Sequence, residues 1–323
     1  MNRRRELVGI ALGVIAGVGW GLGPIFFKGI VLPAGVGWTS MLFWRFSFAV
    51  AVSWLWLLAK PDARAALRAL DLATVAKLLG IGATFLVDAS VYYAAISRID
   101  VSVAALLMSI YPAIVALVSM RLGYRLRGLL AWLALAMVVA GTVLTVGGVR
   151  PGTDGLGVVL AIAAPIIYVV YIFLTAWIAG ERPGATADMR SEGRGAEIPP
   201  PVAGAVLLVG TWAAALLLGL VSGAPLLPGS IAMAAWPGLF GIGLFAGAIA
   251  IQAFYAASAR IGAAQASLMA TVEPVVAIAL GVAVLGESLS PVRMLGVVIV
   301  LAGVVIAQLV SPPESRQAVF DEP

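Results

Sequence analysis

Long runs of apolar residues, separated by short polar breaks, dominate this chain of 323 residues. A helix needs about 20 apolar residues to cross the hydrocarbon core of a bilayer. Ten runs of this kind occur, at approximately 7–28, 37–58, 73–96, 101–121, 128–147, 155–179, 202–222, 235–257, 263–284 and 292–310. The pattern predicts an all-α polytopic membrane protein with ten transmembrane helices.

The polar breaks have the composition of loops and turns. The longest, 180–201, is rich in Gly, Pro and charged residues and is expected to be a flexible loop. The polar segment 311–323 is expected to be a tail. Three arginines precede the first run, as in a signal peptide, but the length of that run favours a retained first helix.

Composition supports the membrane class and narrows the chemistry. The chain is 62% hydrophobic and 11% charged, with a mean hydropathy of +1.09, whereas soluble domains are about 45–50% apolar and about 25% charged. It contains no Cys and no His, which excludes disulfides and the usual zinc and haem sites, so we expect no cofactor. The net charge of +5 is scattered among short loops and does not indicate nucleic-acid binding.

The positions of Lys and Arg predict the orientation of the helices, because cytoplasmic loops are enriched in both. With a cytoplasmic N-terminus, the cytoplasmic side is assigned Arg3, Arg4, Arg5, Lys60, Arg64, Arg68, Lys77, Arg121, Arg125, Arg127, Arg182, Arg190, Arg194, Arg293 and Arg316. The outer side is assigned Lys28, Arg98, Arg150 and Arg260. The bias predicts a multi-pass protein of the inner (plasma) membrane with both termini in the cytoplasm.

Two parts of the chain resemble each other at a constant offset of 162 residues. The offset pairs Tyr93 with Tyr255, Arg98 with Arg260, Ile99 with Ile261, Pro112 with Pro274, and Ala140 with Ala302. We therefore predict a first repeat over 1–150 and a second over 151–310. Five helices are an odd number, so the repeats would be inverted in the membrane, with a substrate site near the midplane between them.

The closing stretch "EPVVAIALGVAVLGESLSPVRMLGVVIVLAGVVIA" contains Glu273, Pro274, Gly286, Glu287, Gly296 and Gly303. Earlier in the chain, "GWGLGPIFFKGI" contains Trp20 and Lys28, and "FWRFSFAV" contains Arg45. These segments resemble EamA-like transporters of the drug/metabolite transporter superfamily. The resemblance implies ten helices, cytoplasmic termini, and transport of small organic molecules, often outward. Asp88 and the long loop 180–201 are not part of it.

Glu273 lies near the middle of its predicted helix and is followed by Pro274, which frees the carbonyl of Ala270. A charge near the bilayer centre costs about 2.5–3.5 kcal/mol on insertion scales and tends to be functional. Glu273 either faces a substrate or is protonated and hydrogen bonds to the loosened backbone. The repeat places Tyr111 at the matching position of the first half.

Other polar and aromatic side chains within the apolar runs are further candidates. Arg45 either lines a cavity or snorkels to the surface, and Asp88 either lines a cavity or forms an interhelical hydrogen bond. Aromatic residues either enclose a substrate or pack at interfaces, and Gln252 either lines the site or joins helices. The predicted substrate-binding set is Glu273, Arg45, Asp88, Trp20, Tyr92, Tyr111 and Gln252.

Glycine recurs every fourth residue in the first predicted helix, at Gly9, Gly13, Gly17 and Gly21. Small residues at this spacing predict close helix packing. The pair Gly286–Glu287 falls at a predicted helix end, where we expect a cap with a structural role.

These features together predict a secondary transporter, expected to be an exporter, for a small polar or amphipathic metabolite such as an amino acid or related zwitterion. No nucleotide-binding motif is present, so its energy would come from gradients. Its partners would be the lipid bilayer and the small molecule, and the sequence leaves the oligomeric state open. We do not expect an enzyme. The alternatives are a lipid-modifying membrane enzyme that uses Asp88 and Glu273 as acid and base, or a passive channel.

Overall fold

The computed structural model describes residues 3–111, 114, 118, 129–147, 152–178, 198–261, 266 and 269–310. In this part of the chain the regular structure is helical and contains no strand. The α-helices are α1 (Arg3–Phe26), α2 (Trp38–Leu58), α3 (Pro61–Arg68), α4 (Leu72–Ile96), α5 (Val101–Met108), α6 (Leu129–Gly147), α7 (Gly155–Ile178), α8 (Pro200–Val221), α9 (Trp236–Gly241), α10 (Ala250–Ile261), α11 (Val272–Leu285) and α12 (Pro291–Val310). π-Helical turns extend α1 over Phe27–Val31 and join α9 to α10 over Ile242–Ile249.

The long apolar helices confirm the polytopic membrane class. Five stretches are long and apolar enough to cross a membrane, namely Arg4–Val31, Trp38–Leu58, Leu72–Ile96, Pro201–Val221 and Met233–Ala257. Shorter apolar helices cover Trp132–Leu144, Gly155–Tyr171, Val272–Leu285 and Pro291–Ile306. The second part of the predicted run 101–121 is largely outside the described residues, so the count of ten stays a prediction. The tail 311–323 and most of the loop 180–201 are also outside them, and α8 already begins at Pro200.

One short helix, α3, was not expected, because the sequence there reads as a polar loop. Pro61 occupies its first turn, Asp62 lies near its N-terminus and Arg68 near its C-terminus, as helix geometry and the helix dipole favour. Its apolar side chains, including Leu67, pack against a buried cluster that contains Leu57. The remaining surface of α3 is polar, so this helix links α2 to α4 outside the spans.

The packing of the helices has a two-fold pattern. α1 packs against α10 as α7 packs against α4, and α2 packs against the π-helical segment before α10 as α8 packs against α4. α6 packs against α12, and α5 against α11. In this pattern α1 corresponds to α7, α2 to α8, α4 to the π-helical segment with α10, α5 to α11, and α6 to α12. When these corresponding helices are exchanged, each packed pair becomes another packed pair or stays the same pair.

The contact between α6 and α12 shows the offset at the level of atoms. A Cβ added to Gly141 would lie 2.7 Å from the carbonyl oxygen of Gly296. A Cβ added to Gly303 would lie 2.9 Å from the carbonyl oxygen of Ala134. Gly303 and Gly296 follow Gly141 and Ala134 by the same 162 residues. Glycine therefore permits the same close backbone approach twice, once from each half.

The glycines of α1 face the segment that leads into α11, which confirms the predicted close packing. A Cβ on Gly13 would lie 2.5 Å from the Cβ of Met269, and one on Gly17 would lie 2.6 Å from the carbonyl oxygen of Ala270. A Cβ on Gly21 would lie 2.8 Å from the carbonyl oxygen of Glu273. These contacts hold the backbone of Glu273 directly against α1.

The two ends of the helical bundle correct part of the predicted orientation. We call the end that holds the N-terminus of α1 the near end and the opposite end the far end. Arg260 packs beside Gly9 at the near end, whereas Arg293 pairs with Asp100 at 3.3 Å at the far end, where Lys28 also donates to the carbonyl oxygen of Ile99. The prediction put the N-terminus on the cytoplasmic side, and Arg260 shares its end of the bundle whereas Arg293 does not. The assignment of Arg260 to the outer side and Arg293 to the cytoplasmic side is therefore wrong. The two exchange places, so the overall bias is unchanged.

Glu287 caps the beginning of α5 from the other half of the chain. Gly286 ends α11 with φ +67°, a left-handed conformation that glycine adopts without strain. The Glu287 carboxylate then accepts hydrogen bonds from the backbone nitrogens of Val101, at 2.6 Å, and Ser102, at 2.9 Å. This confirms the expected structural cap, and the structure adds which helix it caps.

Asp154 caps α7 at the far end. Its Oδ1 accepts hydrogen bonds from the backbone nitrogens of Leu156, at 2.9 Å, and Gly157, at 3.1 Å. Its Oδ2 pairs with Arg98 at 3.2 Å. The hydrogen bond from Gly157 is the largest cause that lowers the pKa of Asp154 below its ordinary value.

Candidate functional site

A cavity of about 140 Å³ lies in the interior of the bundle, between the two halves. Helices of the first half contribute Trp20, Arg45, Asp88 and Tyr111, and helices of the second half contribute residues from α7, α10, α11 and α12. One water molecule needs roughly 10–15 Å³ of such space, so the cavity has room for about ten waters or for one small organic molecule.

Six of the seven predicted binding residues meet in this cavity. They are Trp20, Arg45, Asp88, Tyr92, Tyr111 and Glu273. Gln252 is not among the lining residues, and within the described part of the chain both polar atoms of its side chain are buried without a hydrogen-bond partner. Gln252 and the cavity-lining Phe254 are two residues apart on α10, which turns them about 200° from each other around the helix.

Arg45 is held inside the bundle and does not reach the surface. Arg45 is only 5% exposed. Its guanidinium carbon lies 5.0 Å from the ring centroid of Phe46 and 5.2 Å from that of Tyr93. One nitrogen, Nη2, donates to the carbonyl oxygen of Ala246 at 3.4 Å, and Nε has no partner among the described residues. Guanidinium carries five N–H donors, so most of them are open to a ligand or water.

Two carboxyl groups share the cavity with this cation. Asp88 is 5% exposed, and its Oδ1 has no hydrogen-bond partner in the described residues. Arg45, Asp88 and Glu273 all line the same cavity. In the described part of the chain neither carboxyl group forms a salt bridge with Arg45. Buried polar groups normally have partners, so the unpartnered atoms of Arg45 and Asp88 give this cavity capacity for a ligand with charges of both signs.

Aromatic rings form much of the remaining wall. Trp20 lies 5.3 Å from Phe254 between ring centroids, and Tyr111 lies 4.9 Å from Tyr168 in an edge-to-face arrangement. Such rings bury a large apolar surface, and their faces attract cations. The wall therefore suits the apolar body of an amphipathic molecule as well as a positively charged group.

Sequence reasoning missed Phe254 and Tyr168 as cavity residues, although the repeat gave a signal for Phe254. Phe254 lies 162 residues after Tyr92, which was a candidate, so the repeat itself points to it. Tyr168 follows Gly157 by the same eleven residues that separate Trp20 from Gly9. Gly157 packs against Ile99 as Gly9 packs against Ile261, and the structure was needed to reveal that match.

Comparisons with known proteins agree with the helical architecture. A solved crystal structure is similar to this chain with a TM-score of 0.64 and 19% sequence identity, covering 96% of this chain and 98% of its own. At this identity the likeness establishes the fold alone. No curated protein matches the chain in sequence.

The sequence profile of the EamA-like transporter family matches residues 7–147 and 192–309. The two stretches cover most of the chain and contain all seven of the predicted binding residues. They also contain the glycines of α1 and the Glu287 cap. This chain belongs to the EamA-like transporter family.

Proposed function

We propose that this protein is a secondary transporter that moves a small zwitterionic metabolite, of the amino-acid class, by alternating access around the central cavity. The family supplies the general activity of membrane transport. The observation that carries the finer proposal is that Arg45, Asp88 and Glu273 face one aromatic-walled cavity between the two halves.

The chemistry of the three charged residues supports a zwitterion. Arg45 can hold a carboxylate with two parallel hydrogen bonds. Asp88 or Glu273 can accept hydrogen bonds from an ammonium group. A zwitterion can meet Arg45 with its carboxylate and one of the two carboxyl groups with its ammonium group, whereas a ligand with a single charge can meet only one of these two partners.

The packing supports a mechanism in which the two halves exchange roles. We propose ten transmembrane helices in two inverted repeats, 1–150 and 151–310, because helix contacts of one half recur in the other at an offset of 162 residues. Halves of this kind can rock so that a midplane site opens alternately to either side.

We further propose that the near end faces the cytoplasm of the inner (plasma) membrane and that net transport is outward. Four basic residues lie at this end, between or beside α2 and α4, as the positive-inside rule favours; they are Lys60, Arg64, Arg68 and Lys77.

The proposed outward direction of transport rests on the family. Efflux from cells that overproduce the protein, compared with cells carrying Glu273→Gln, tests it, and uptake in place of efflux would contradict it.

Exchange in liposomes tests the proposed substrate class. Purified protein is reconstituted, the vesicles are loaded with labelled amino acids, and counterflow is followed with and without a pH gradient. Arg45→Gln and Glu273→Gln should each slow exchange about tenfold or more, because each removes one charged contact with the ligand, worth about 1.5–3 kcal/mol. The controls Arg68→Gln and Asp62→Asn change charges of the same signs on the exposed helix α3 and should exchange like the unaltered protein.

Two results would contradict the proposal. One is exchange at the unaltered rate by folded Arg45→Gln and Glu273→Gln variants. The other is saturable exchange of compounds that carry no ammonium group, with amino acids failing to compete. Comparing counterflow with and without the pH gradient shows whether transport is coupled to protons, because a pH gradient drives a proton-coupled carrier and does not drive a pure exchanger.

A further inference from the structure

A second cavity, an apolar groove of about 380 Å³, lies between α11 and α12 on the outside of the bundle. On the α11 side it is lined by Met269, Val272 and Val275, and on the α12 side by Val305. Val275 is 45% exposed and Val305 is 42% exposed. The groove is therefore an apolar surface that opens away from the protein.

The groove adjoins the central cavity. Thr271, Leu301 and Val304 line both. Thr271 is two residues from Glu273, which faces the central cavity. The same three side chains thus form the boundary between the charged interior and the apolar outside.

The groove lies at the depth of lipid chains. Leu301 and Val305 follow the first residue of α12, Pro291, by ten and fourteen residues. At about 1.5 Å of rise per residue they lie roughly 15–21 Å along the helix, close to the middle of a hydrocarbon core that is about 30 Å thick. Hydrocarbon chains, and not water, cover exposed valines at this depth.

The groove exists because its two walls are packed against different neighbours. α11 packs against α1, where Gly17 and Gly21 allow close approach, and against α5. α12 packs instead against α6, where Gly303 allows the same. Each wall is therefore fixed from its far side, and a space between the walls does not require either helix to lose its own packing.

We propose that this groove takes the alkyl tail of an amphiphile whose zwitterionic head group is bound in the central cavity. This inference rests on the proposed function and extends its substrate class to amino acids with long apolar side chains that partition into the bilayer. An alkyl tail passes from lipid into an apolar groove with little change in its surroundings. The head group then leaves the interface for the charged trio formed by Arg45, Asp88 and Glu273.

Photolabelling of the reconstituted protein tests the groove directly. The probe is α-aminododecanoic acid with a diazirine at the end of its alkyl chain, added to the full chain in phosphatidylcholine nanodiscs. Peptide mass spectrometry should locate the label on Met269, Val275 or Val305. Unlabelled α-aminododecanoic acid in excess should remove it, whereas dodecanoic acid, which has the tail without the zwitterionic head, should not.

Two tryptophan substitutions narrow the groove. Val275→Trp and Val305→Trp should each reduce labelling about fivefold or more, because an indole occupies the space of the tail. Matched controls are Val284→Trp on α11 and Val298→Trp on α12, both 62% exposed and outside the groove. These controls should be labelled like the unaltered protein.

Each contrary outcome overturns the proposal. Label outside the groove, equal displacement by dodecanoic acid, or unchanged labelling of the two groove variants would each reject it. The test is separate from exchange in liposomes, because labelling requires no transport. Head-dependent labelling without exchange would reject the transport proposal and keep the groove, whereas exchange of short amino acids without labelling would reject the groove alone.

Discussion

The two halves of the chain share a packing frame but place different chemistry on it. Tyr92 and Phe254, 162 residues apart, both line the central cavity with aromatic rings. At the same offset, Tyr111 of the first half corresponds to Glu273 of the second. Asp88 corresponds to Ala250, which is fully buried and does not line the cavity.

The difference teaches which constraint acts where. Close helix contacts recur, as at Gly141 and at Gly303, because corresponding residues of the two halves face each other across the interface between α6 and α12. Charges do not recur, because a ligand with a carboxylate at one end and an ammonium at the other has no two-fold symmetry. A symmetric packing frame can thus carry an asymmetric site. Substitutions at the helix contacts test the frame, and substitutions of charged positions test the site.

The largest loss of stability is expected when the second half is given a carboxylate at Ala250, the position that corresponds to Asp88 of the first half. Ala250→Asp would bury a carboxylate beside Gly19 of α1. We expect a loss of about 3–5 kcal/mol of unfolding free energy, the cost of an uncompensated buried charge. Thermal unfolding in nanodiscs measures it, with Ala250→Asn as the uncharged control of similar size. An Ala250→Asp protein as stable as the control would show that this position does not keep the carboxylate out of water.

The frame is tested next, by adding one methyl group at each equivalent glycine. Gly141→Ala and Gly303→Ala should each lower stability by about 1–3 kcal/mol, because the added carbon overlaps a carbonyl oxygen of the facing helix. Gly80→Ala on α4 meets nothing within 4 Å and should stabilise by up to about 1 kcal/mol through helix propensity. Thermal unfolding of the three variants decides, and unequal losses at Gly141 and Gly303 would contradict the symmetry.

The charge asymmetry is sharpened by removing one carboxylate of the pair. Asp88→Asn should weaken binding of an amino acid about tenfold, or about 1.4 kcal/mol, since the carboxylate that meets the ammonium group is lost. The matching carboxylic acid without the ammonium group should bind unchanged. Dissociation constants for the two ligands, with Glu273→Gln measured beside Asp88→Asn, show which carboxylate contacts the ammonium. Equal weakening of both ligands by Asp88→Asn would instead indicate a role in positioning Arg45.

The smallest effect is expected at the exposed cap of α7. The pKa of Asp154 is lowered from its ordinary 3.8, first by the hydrogen bond from Gly157. A lowered pKa means that the stabilising contribution is fully present above the ordinary value and is lost as the pH falls through the folded value. The protection of the Leu156 and Gly157 amides against hydrogen exchange, taken relative to the intrinsic rate at each pH, should therefore fall only below about pH 4. Protection that already falls between pH 7 and 5 would contradict this assignment.

The sequence was sufficient for the helical, polytopic membrane class and for the ionisable residues of the cavity. Apolar runs of membrane-spanning length form helices because lipid leaves the backbone no other partner. Glu273, Arg45 and Asp88 could be selected as candidates because ionisable side chains are costly among apolar residues and are therefore rare. The helix α3 was missed for the complementary reason, since eight polar and small residues give no apolar run.

Other features depend on rotation and on distant contacts. Gln252 is polar within an apolar run, but the turn of α10 directs it away from the cavity that Phe254 faces. Tyr168 belongs to the site only because α7 packs against α4, which no local pattern predicts. Glu287 could be expected to cap a helix, whereas its bond to α5 crosses 186 residues of sequence.

That cap has a consequence for how the protein is made. The ribosome completes Val101 long before it reaches Glu287, so the first turn of α5 enters the membrane without its carboxylate partner. During this interval two backbone N–H groups at the far end must be satisfied by water or by the translocation machinery. The contacts of Glu287 with α5 and of Arg293 with Asp100 can therefore form only late in synthesis, when the loop after α11 has been made.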